Sequence, residues 1–126
     1  MTKSHIELGR RGEQIAVNFL KDNGYSIVST NYRNRLGQID IIAKDKKTIC
    51  FVEVKMRRTM RFGQPTEAVE AYKQRKISQL ALLFLKENRL LKSPARFDVI
   101  SISHADLQPK IELIKNAFDL NYNCLY

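Results

Sequence analysis

The chain has 126 residues, which fits one domain with a single hydrophobic core. Its hydrophobic share of 44% is ordinary for a soluble protein, and its longest apolar run, residues 80–85, is far too short to span a membrane. A net charge of +9 favours nucleic acid, an anionic membrane surface or an acidic protein as partner, although some soluble proteins are simply basic.

The first half of the chain predicts a helix followed by three strands. Residues 5–23 carry an apolar stripe at helical spacing, and Gly24 is a suitable C-terminal cap. A turn is expected at residues 34–37 and a tight hairpin at Lys46-Lys47. The predicted strands are residues 25–33, 38–45 and 48–55.

The second half predicts one more helix and two more strands. After a basic loop, Thr66 is a plausible N-cap for a helix that ends near Asn88. Strands follow at residues 96–103 and 110–115. This order predicts a single α/β domain over residues 1–126, with a central mixed sheet flanked by helices.

Cysteine and histidine usage excludes two kinds of site. Cys50 and Cys124 make no disulfide framework, and His5 and His104 give no zinc-ligand spacing. No apolar segment follows the N-terminus, so no signal peptide is visible. We therefore expect reduced thiols in a cytoplasmic protein with no membrane partner.

Charged residues interrupt two strands that are otherwise apolar. Glu53 and Lys55 end the run Ile49–Lys55, and they share a face because residues i and i+2 of a strand point the same way. Asp40 lies in the similarly apolar segment 38–43. Burying an unpaired charge is costly, so such charges persist only with a partner, a metal or a chemical task.

The hairpin brings these charges together. If its turn has two residues, Asp40 lies opposite Glu53, with Cβ atoms roughly 4.5–5.5 Å apart, and Gln38 lies opposite Lys55. Two carboxylates this close favour a cation between them, and oxygen ligands suit Mg²⁺ or Mn²⁺. The spacing Asp40…Glu53-x-Lys55 therefore indicates metal-dependent cleavage of nucleic acid phosphodiesters. The alternative is an ordinary cross-strand salt bridge, and a one-residue slip would move Asp40 to the other face.

Other charged residues allow two interpretations each. Glu13 lies beside the apolar stripe of the first helix, and its position alone favours a solvated residue stabilised by the helix dipole. Basic residues after the carboxylate strand and in the next helix either contact phosphates or form a solvated face. These candidate nucleic-acid-binding residues are Arg57, Arg58, Arg61, Lys73 and Lys76.

A series of short motifs runs in order from residue 9 to about residue 102. They include Gly9-Arg10-Arg11-Gly12-Glu13, Asn31-Tyr32-Arg33, Gly37-Gln38-Ile39-Asp40, Phe51-Val52-Glu53-Val54-Lys55 and Arg96-Phe97-Asp98-Val99-Ile100. Together they resemble the YraN-like family of uncharacterised bacterial proteins, which is similar to archaeal Holliday-junction resolvases. The resemblance implies a restriction-endonuclease-like fold and a nuclease.

The resemblance also implies a set of site residues. In that superfamily a helix Glu, a strand Asp and a Glu-x-Lys pair form the metal site. Asp40, Glu53 and the carbonyl of Val54 would then bind the metal, with Lys55 and Glu13 completing the catalytic set. The family usually has Gly-Glu-Ile-Asp where this chain has Gly37-Gln38-Ile39-Asp40, and the lost charge implies one metal or weaker binding.

The leading hypothesis is a Mg²⁺- or Mn²⁺-dependent endonuclease that acts on DNA, with branched DNA as an expected substrate. Cutting a junction requires two sites, which makes a homodimer a reasonable expectation. One alternative is a basic nucleic-acid-binding module of the same fold without turnover. Another is an RNA-directed nuclease, although no RNA-reading motif is recognisable.

Overall fold

The computed structural model describes residues 3–57, 71–103 and 110–118, which form two helices and five strands. The elements are α1 (Lys3–Asp22), β1 (Ser26–Asn34), β2 (Gly37–Asp45), β3 (Thr48–Arg57), α2 (Ala71–Glu87), β4 (Ala95–Ser103) and β5 (Lys110–Phe118). The strands form one sheet in the order β1-β2-β3-β4-β5. Strands β3 and β4 run parallel, and the other neighbours are antiparallel. The predicted α/β architecture, a mixed sheet flanked by helices, is confirmed.

Among the boundaries that lie within the described ranges, the end of β5 differs most from prediction. This strand continues past the predicted end at residue 115 to Phe118. Asn116 interrupts the strand pattern with a φ of 54°, and its backbone N–H donates to Oδ1 of Asp98 at 2.9 Å. The ladder with β4 is irregular at this point, and beyond it Phe118 stacks on Phe97 with ring centroids 4.6 Å apart. The polar interruption explains why the sequence pattern predicted an earlier end.

Hydrophobic side chains cover both faces of the sheet, as the apolar central strands predicted. Ile49 and Phe51 of β3 pack in the cluster that contains α2, whereas Cys50 and Val52 pack in the cluster that contains α1. The buried side chains that α2 contributes are Ile77, Leu80, Ala81, Phe84 and Leu85, and those that α1 contributes are Ala16 and Leu20. Glu53 and Lys55 therefore lie on a strand with a helix against each face.

Cys50 is a free thiol, as expected, and burial raises its pKa to about 11. Cys124 lies outside the described residues, as does Thr66, the predicted N-cap of the second helix. No helix in the described ranges is long and apolar enough to cross a membrane.

Arg96 and its carboxylate partners hold one end of the sheet. Asp98 is fully buried, and Nε of Arg96 lies 3.1 Å from both of its oxygens. The same guanidinium donates to Asp45 at 2.9 Å and to the hydroxyl of Tyr25 at 2.8 Å. These bonds lower the pKa of Asp45, chiefly through the hydrogen bond from Arg96. The groups satisfy one another, so this cluster has a structural role.

Gly12 allows α1 to approach β3 closely. A Cβ atom at this position would lie 2.4 Å from the sulfur of Met56, far inside van der Waals contact. The missing side chain therefore brings the N-terminal half of α1 against the last residues of β3, with Glu13 next to the contact.

Candidate active site

The β2–β3 hairpin has the predicted register along most of its length. Asp45 pairs with Thr48, and the pairing continues in step to Ile41 and Val52. Lys46 has a φ of 57°, the left-handed conformation that a tight two-residue turn requires.

The regular pairing between β2 and β3 ends next to Asp40, and the carboxylate of Asp40 accepts a backbone hydrogen bond from β3. The predicted pairs Asp40–Glu53 and Gln38–Lys55 would continue this register, but the regular pairing ends at Ile41 and Val52. The backbone N–H of Val54 instead donates to Oδ2 of Asp40 at 2.8 Å. A carboxylate is a stronger acceptor than a peptide carbonyl, so it takes a donor that faces β2. The two acids are therefore neighbours without being a regular cross-strand pair.

At Asp40, the alternation of β2 side chains between the two faces of the sheet is also interrupted. Ile39 packs with the α2 cluster and Ile41 with the α1 cluster, although alternate residues of a regular strand share a face. On β1, Asn31 lies between the residues paired with Ile41 and Ile39, and its φ is 55°. This irregularity puts Asp40 at the point where the two faces of the sheet exchange, within electrostatic range of acids from both sides.

Glu53 is the buried acid of the site, with 6% of its surface exposed. The Lys73 ammonium of α2 contacts Oε1 of Glu53, and Nζ of Lys55 lies 3.6 Å from the same oxygen. Burial raises the pKa of Glu53, and the charge of Asp40 raises it further, against the opposing effect of the two lysines. Glu53 is thus an electron-rich oxygen donor held among cations.

The two lysines respond to this environment in opposite directions. Burial lowers the pKa of Lys55, and the neighbouring Lys73 ammonium lowers it further. Burial also disfavours the charged form of Lys73, but the contact of its ammonium with Glu53 outweighs this effect and raises the pKa of Lys73. Lys55 is therefore the lysine better suited to proton transfer, and Lys73 the more firmly charged one.

A chain of amide hydrogen bonds joins Glu13 to Asp40. Nδ2 of Asn31 donates to Oε1 of Glu13 at 2.8 Å. Nε2 of Gln38 donates to Oδ1 of Asn31 at 3.0 Å and to Oδ1 of Asp40 at 3.1 Å. The side chain of an ionised Glu has no N–H to donate, so the amide of Gln38 supplies a donor next to Asp40 that a Glu at this position could not.

Glu13 belongs to the same electrostatic system. Partial burial raises its pKa, the charge of Asp40 raises it further, and the hydrogen bond from Asn31 opposes both effects. This placement goes beyond the solvated helix residue that its sequence position favoured. Glu13, Asp40 and Glu53 are thus connected in series, with Asp40 between the other two.

A comparison with known proteins places these residues in a family. The model of the uncharacterised protein family UPF0102 matches residues 12–102. The chain belongs to this family. The matched region contains Glu13, Asp40, Glu53, Lys55 and Lys73, and it ends before β5.

Curated UPF0102 relatives match along nearly their whole length. The protein from Desulfosudis oleivorans is 50% identical over 121 residues, covering 96% of this chain and 97% of its own. The relative from Geobacter metallireducens is 48% identical, covering 97% of this chain and all of its own. A relative from Acetivibrio thermocellus is also 48% identical, with 87% and 89% covered.

The predicted metal ligands form a small set. Within the described ranges, no group of three or more His, Cys, Asp or Glu side chains is placed to hold a metal ion. Asp40 and Glu53 nonetheless offer hard oxygen donors that suit Mg²⁺ or Mn²⁺, and the carbonyl of Val54 remains the third predicted ligand. The Lys73 ammonium on Glu53 shows that this position favours a cation, so the donor chemistry fits.

The predicted nucleic-acid-binding residues divide into three groups. Arg58 and Arg61 lie outside the described residues. Lys73, which is predicted to contact phosphate, has its ammonium on Glu53, where a buried carboxylate favours a nearby cation. Arg57 ends β3 in a half-buried position, and Nζ of Lys76 lies 5.6 Å from the ring centroid of Tyr72.

Two grooves flank the site, and the sequence pattern revealed neither. The α1 groove has a volume of about 350 Å³, and its lining includes Arg10, Lys21, Glu13 and Asn31. The α2 groove, of about 190 Å³, is lined by Leu36, Gly37, Gln38, Tyr72, Lys73, Lys76, Ile77 and Leu80. Each groove carries basic side chains beside one end of the amide chain, an arrangement suited to a polyanion.

Proposed function

We propose that this protein is a metal-dependent endonuclease that hydrolyses DNA phosphodiesters, with branched DNA among its substrates. The observation that carries the proposal is the capture of the Val54 N–H by Asp40. It fixes one acid beside Glu53 and Lys55 at a break in an otherwise regular hairpin. A purely structural acid needs no such break, whereas catalytic sites are often built on irregular backbone.

Each residue has a defined role in the proposed reaction. Asp40, Glu53 and the carbonyl of Val54 would hold one Mg²⁺ or Mn²⁺, which when bound polarises the scissile phosphate and lowers the pKa of an attacking water. Lys55, whose pKa burial lowers, orients that water or stabilises the developing charge. Glu13 completes the site through Asn31 and Gln38.

DNA contacts come from the basic residues around the site. Arg57 and Lys76 are placed on β3 and α2, and Arg58 and Arg61 join them in the proposal from the sequence alone. Arg10 and Lys21 add positive charge in the α1 groove. A net charge of +9 supports a polyanionic substrate of this kind.

The fold assignment is part of the same proposal. A helix, three antiparallel strands, a second helix and a parallel β4 support a restriction-endonuclease-like domain that spans residues 1–126. Junction cleavage needs two sites, so we propose that the nuclease acts as a homodimer in the cytoplasm.

One observation favours a second function, a DNA-binding module without turnover. The Lys73 ammonium already neutralises Glu53, so the buried acid is accommodated without any metal. A protein that only binds DNA requires no metal affinity, and this difference separates the two candidates.

Incubation with labelled nucleic acids tests both candidates. Linear duplex, single-stranded, flapped and four-way DNA, and a matched RNA strand, are each incubated with and without Mg²⁺ or Mn²⁺. We expect cleavage of DNA only with metal, unchanged in the hairpin-turn variant Lys47→Ala and lost in Asp40→Asn. Salt-sensitive binding without cleavage under every condition would reject the nuclease and favour the binding module.

A further inference from the structure

Among the described residues, two cations lie beside Glu53, and they are held differently. Lys55 lies two residues away on the same strand, with 26% of its side chain exposed and its Nζ 3.6 Å from Oε1. Lys73 reaches the same oxygen from α2 in direct contact, with 40% of its side chain exposed. The closer cation is therefore also the one with more access to solvent.

This difference decides which cation can leave. An ammonium in direct contact occupies the lone pairs of the carboxylate and cancels the charge that attracts a divalent ion. The flexible four-carbon stem of Lys73 can move its ammonium from Glu53 into water, where the charge is well solvated. Lys55 is anchored by its buried strand, so its removal from the site would disturb β3.

We propose that Lys73 is a tethered, displaceable cation that competes with a divalent metal ion for Glu53. In the metal-free protein its ammonium neutralises the acid, and metal binding sends it into the α2 groove, which Lys73 itself lines with Gln38 and Lys76. The inference rests on the metal site of the proposed function and adds a role to the phosphate contact predicted for Lys73.

The competition has a consequence for DNA binding. A DNA phosphate in the α2 groove would draw the Lys73 ammonium away from Glu53 and so raise the affinity for metal. Because linkage is reciprocal, metal would raise the affinity for DNA by the same factor. Lys73 would therefore make the metal site available chiefly when substrate is bound.

The test is the Mn²⁺ affinity of the full-length, chelator-treated protein, measured by isothermal titration calorimetry without DNA. Lys73→Met keeps the unbranched stem as far as Cε and removes the ammonium, and Lys73→Gln is a second variant in case the first folds poorly. Lys86→Met is the matched control, because Lys86 lies on the same helix about 20 Å along its axis. Circular dichroism checks the fold of each variant.

We expect Lys73→Met to bind Mn²⁺ roughly tenfold more tightly than wild type, within the usual range of coupling between two ligands. The control should match wild type. Without metal, Lys73→Met should melt at a lower temperature than wild type because Glu53 loses the cation in direct contact with it, and Mn²⁺ should remove this deficit.

The possible failures can be told apart. Equal or weaker Mn²⁺ binding by both Lys73 variants overturns the competition, even if wild type cleaves DNA. Tighter binding by the variants, in a protein that cleaves no DNA, supports the competition and rejects only the nuclease. If neither wild type nor the variants bind Mn²⁺, both the metal site and the competition are rejected.

Discussion

Oδ2 of Asp40 accepts the backbone N–H of Val54 at 2.8 Å, across a hairpin whose regular pairing ends at Ile41 and Val52. The acid is thus positioned by the backbone of the strand that carries Glu53. Its other oxygen, Oδ1, accepts the amide of Gln38. A side chain held through both oxygens is preorganised, which a metal ligand or catalytic acid requires.

Asp40→Asn should abolish metal-dependent cleavage and leave the fold intact. The amide oxygen can still accept the Val54 N–H, so we expect the free energy of unfolding without metal to stay within about 1 kcal/mol of wild type. Loss of the charge also relieves repulsion with Glu53 and Glu13. Removing one group that stabilises transition-state charge typically costs about 100- to 1,000-fold in rate, and we expect at least that loss.

Thermal melting across a Mg²⁺ and Mn²⁺ titration checks this prediction together with the nicking assay. Wild type should gain stability with metal, and the variant should not. A metal-dependent shift of equal size in Asp40→Asn would remove Asp40 from the proposed ligands.

Glu53→Gln should change how stability depends on pH. Burial and Asp40 raise the pKa of Glu53 above its ordinary value of 4.5, so its protonated form is the one that favours folding. That contribution is fully present below pH 4.5 and is lost as the pH rises through the raised pKa. The stability of wild type relative to Glu53→Gln should therefore fall as the pH rises through this window, then level off.

Urea unfolding of both proteins from pH 4 to pH 8 measures this difference directly. The two lysines left without their carboxylate in Glu53→Gln lower its stability by a nearly constant amount over that range. If the stability of wild type relative to Glu53→Gln instead rises with pH, Lys73 and Lys55 hold the pKa of Glu53 below its ordinary value, which is the opposite of the expected direction.

Substitutions of Asn31 should separate the effect of its backbone conformation on stability from the effect of its side-chain amide on cleavage. Its φ of 55° is left-handed, and its amide links Glu13 to Gln38. Asn31→Gly accepts the backbone conformation and loses the amide, whereas Asn31→Ala loses the amide and also resists the conformation. We expect the alanine variant to be less stable than the glycine variant by about 1 kcal/mol.

Both variants should reduce cleavage by the same factor, because both disconnect Glu13 from Asp40. Denaturant unfolding and initial cleavage rates are the two measurements. Activity that follows stability, with the glycine variant fully active, would show that the amide chain is only structural.

Local patterns predicted the strands and the acids, since each depends on neighbouring residues. Alternating and continuous apolar runs predicted the central hairpin, and charges inside those runs identified Asp40, Glu53 and Lys55. The register followed from the two-residue turn as far as Ile41 and Val52.

The connections between these acids were not predictable in the same way. Asn31 contacts Glu13 across 18 positions, and Lys73 contacts Glu53 across 20. Such contacts depend on how helices dock on the sheet, which periodicity does not specify. An asparagine inside a strand pattern was the one available signal, because asparagine tolerates the left-handed conformation.

DNA binding through the α1 groove should be visible in the salt dependence of affinity. Arg10→Ala/Lys21→Ala removes two charges from that groove. Lys44→Ala/Lys47→Ala removes two charges from exposed positions of β2 and the hairpin turn, so both variants have the same net charge. If Arg10 and Lys21 each neutralise one phosphate, the slope of log affinity against log salt should become less steep by about 1.8 for the first variant.

Fluorescence anisotropy with a labelled duplex, in chelator to prevent cleavage, gives both slopes. The hairpin variant should keep the wild-type slope, and equal flattening in the two variants would mean that total charge, with no defined groove, accounts for the binding.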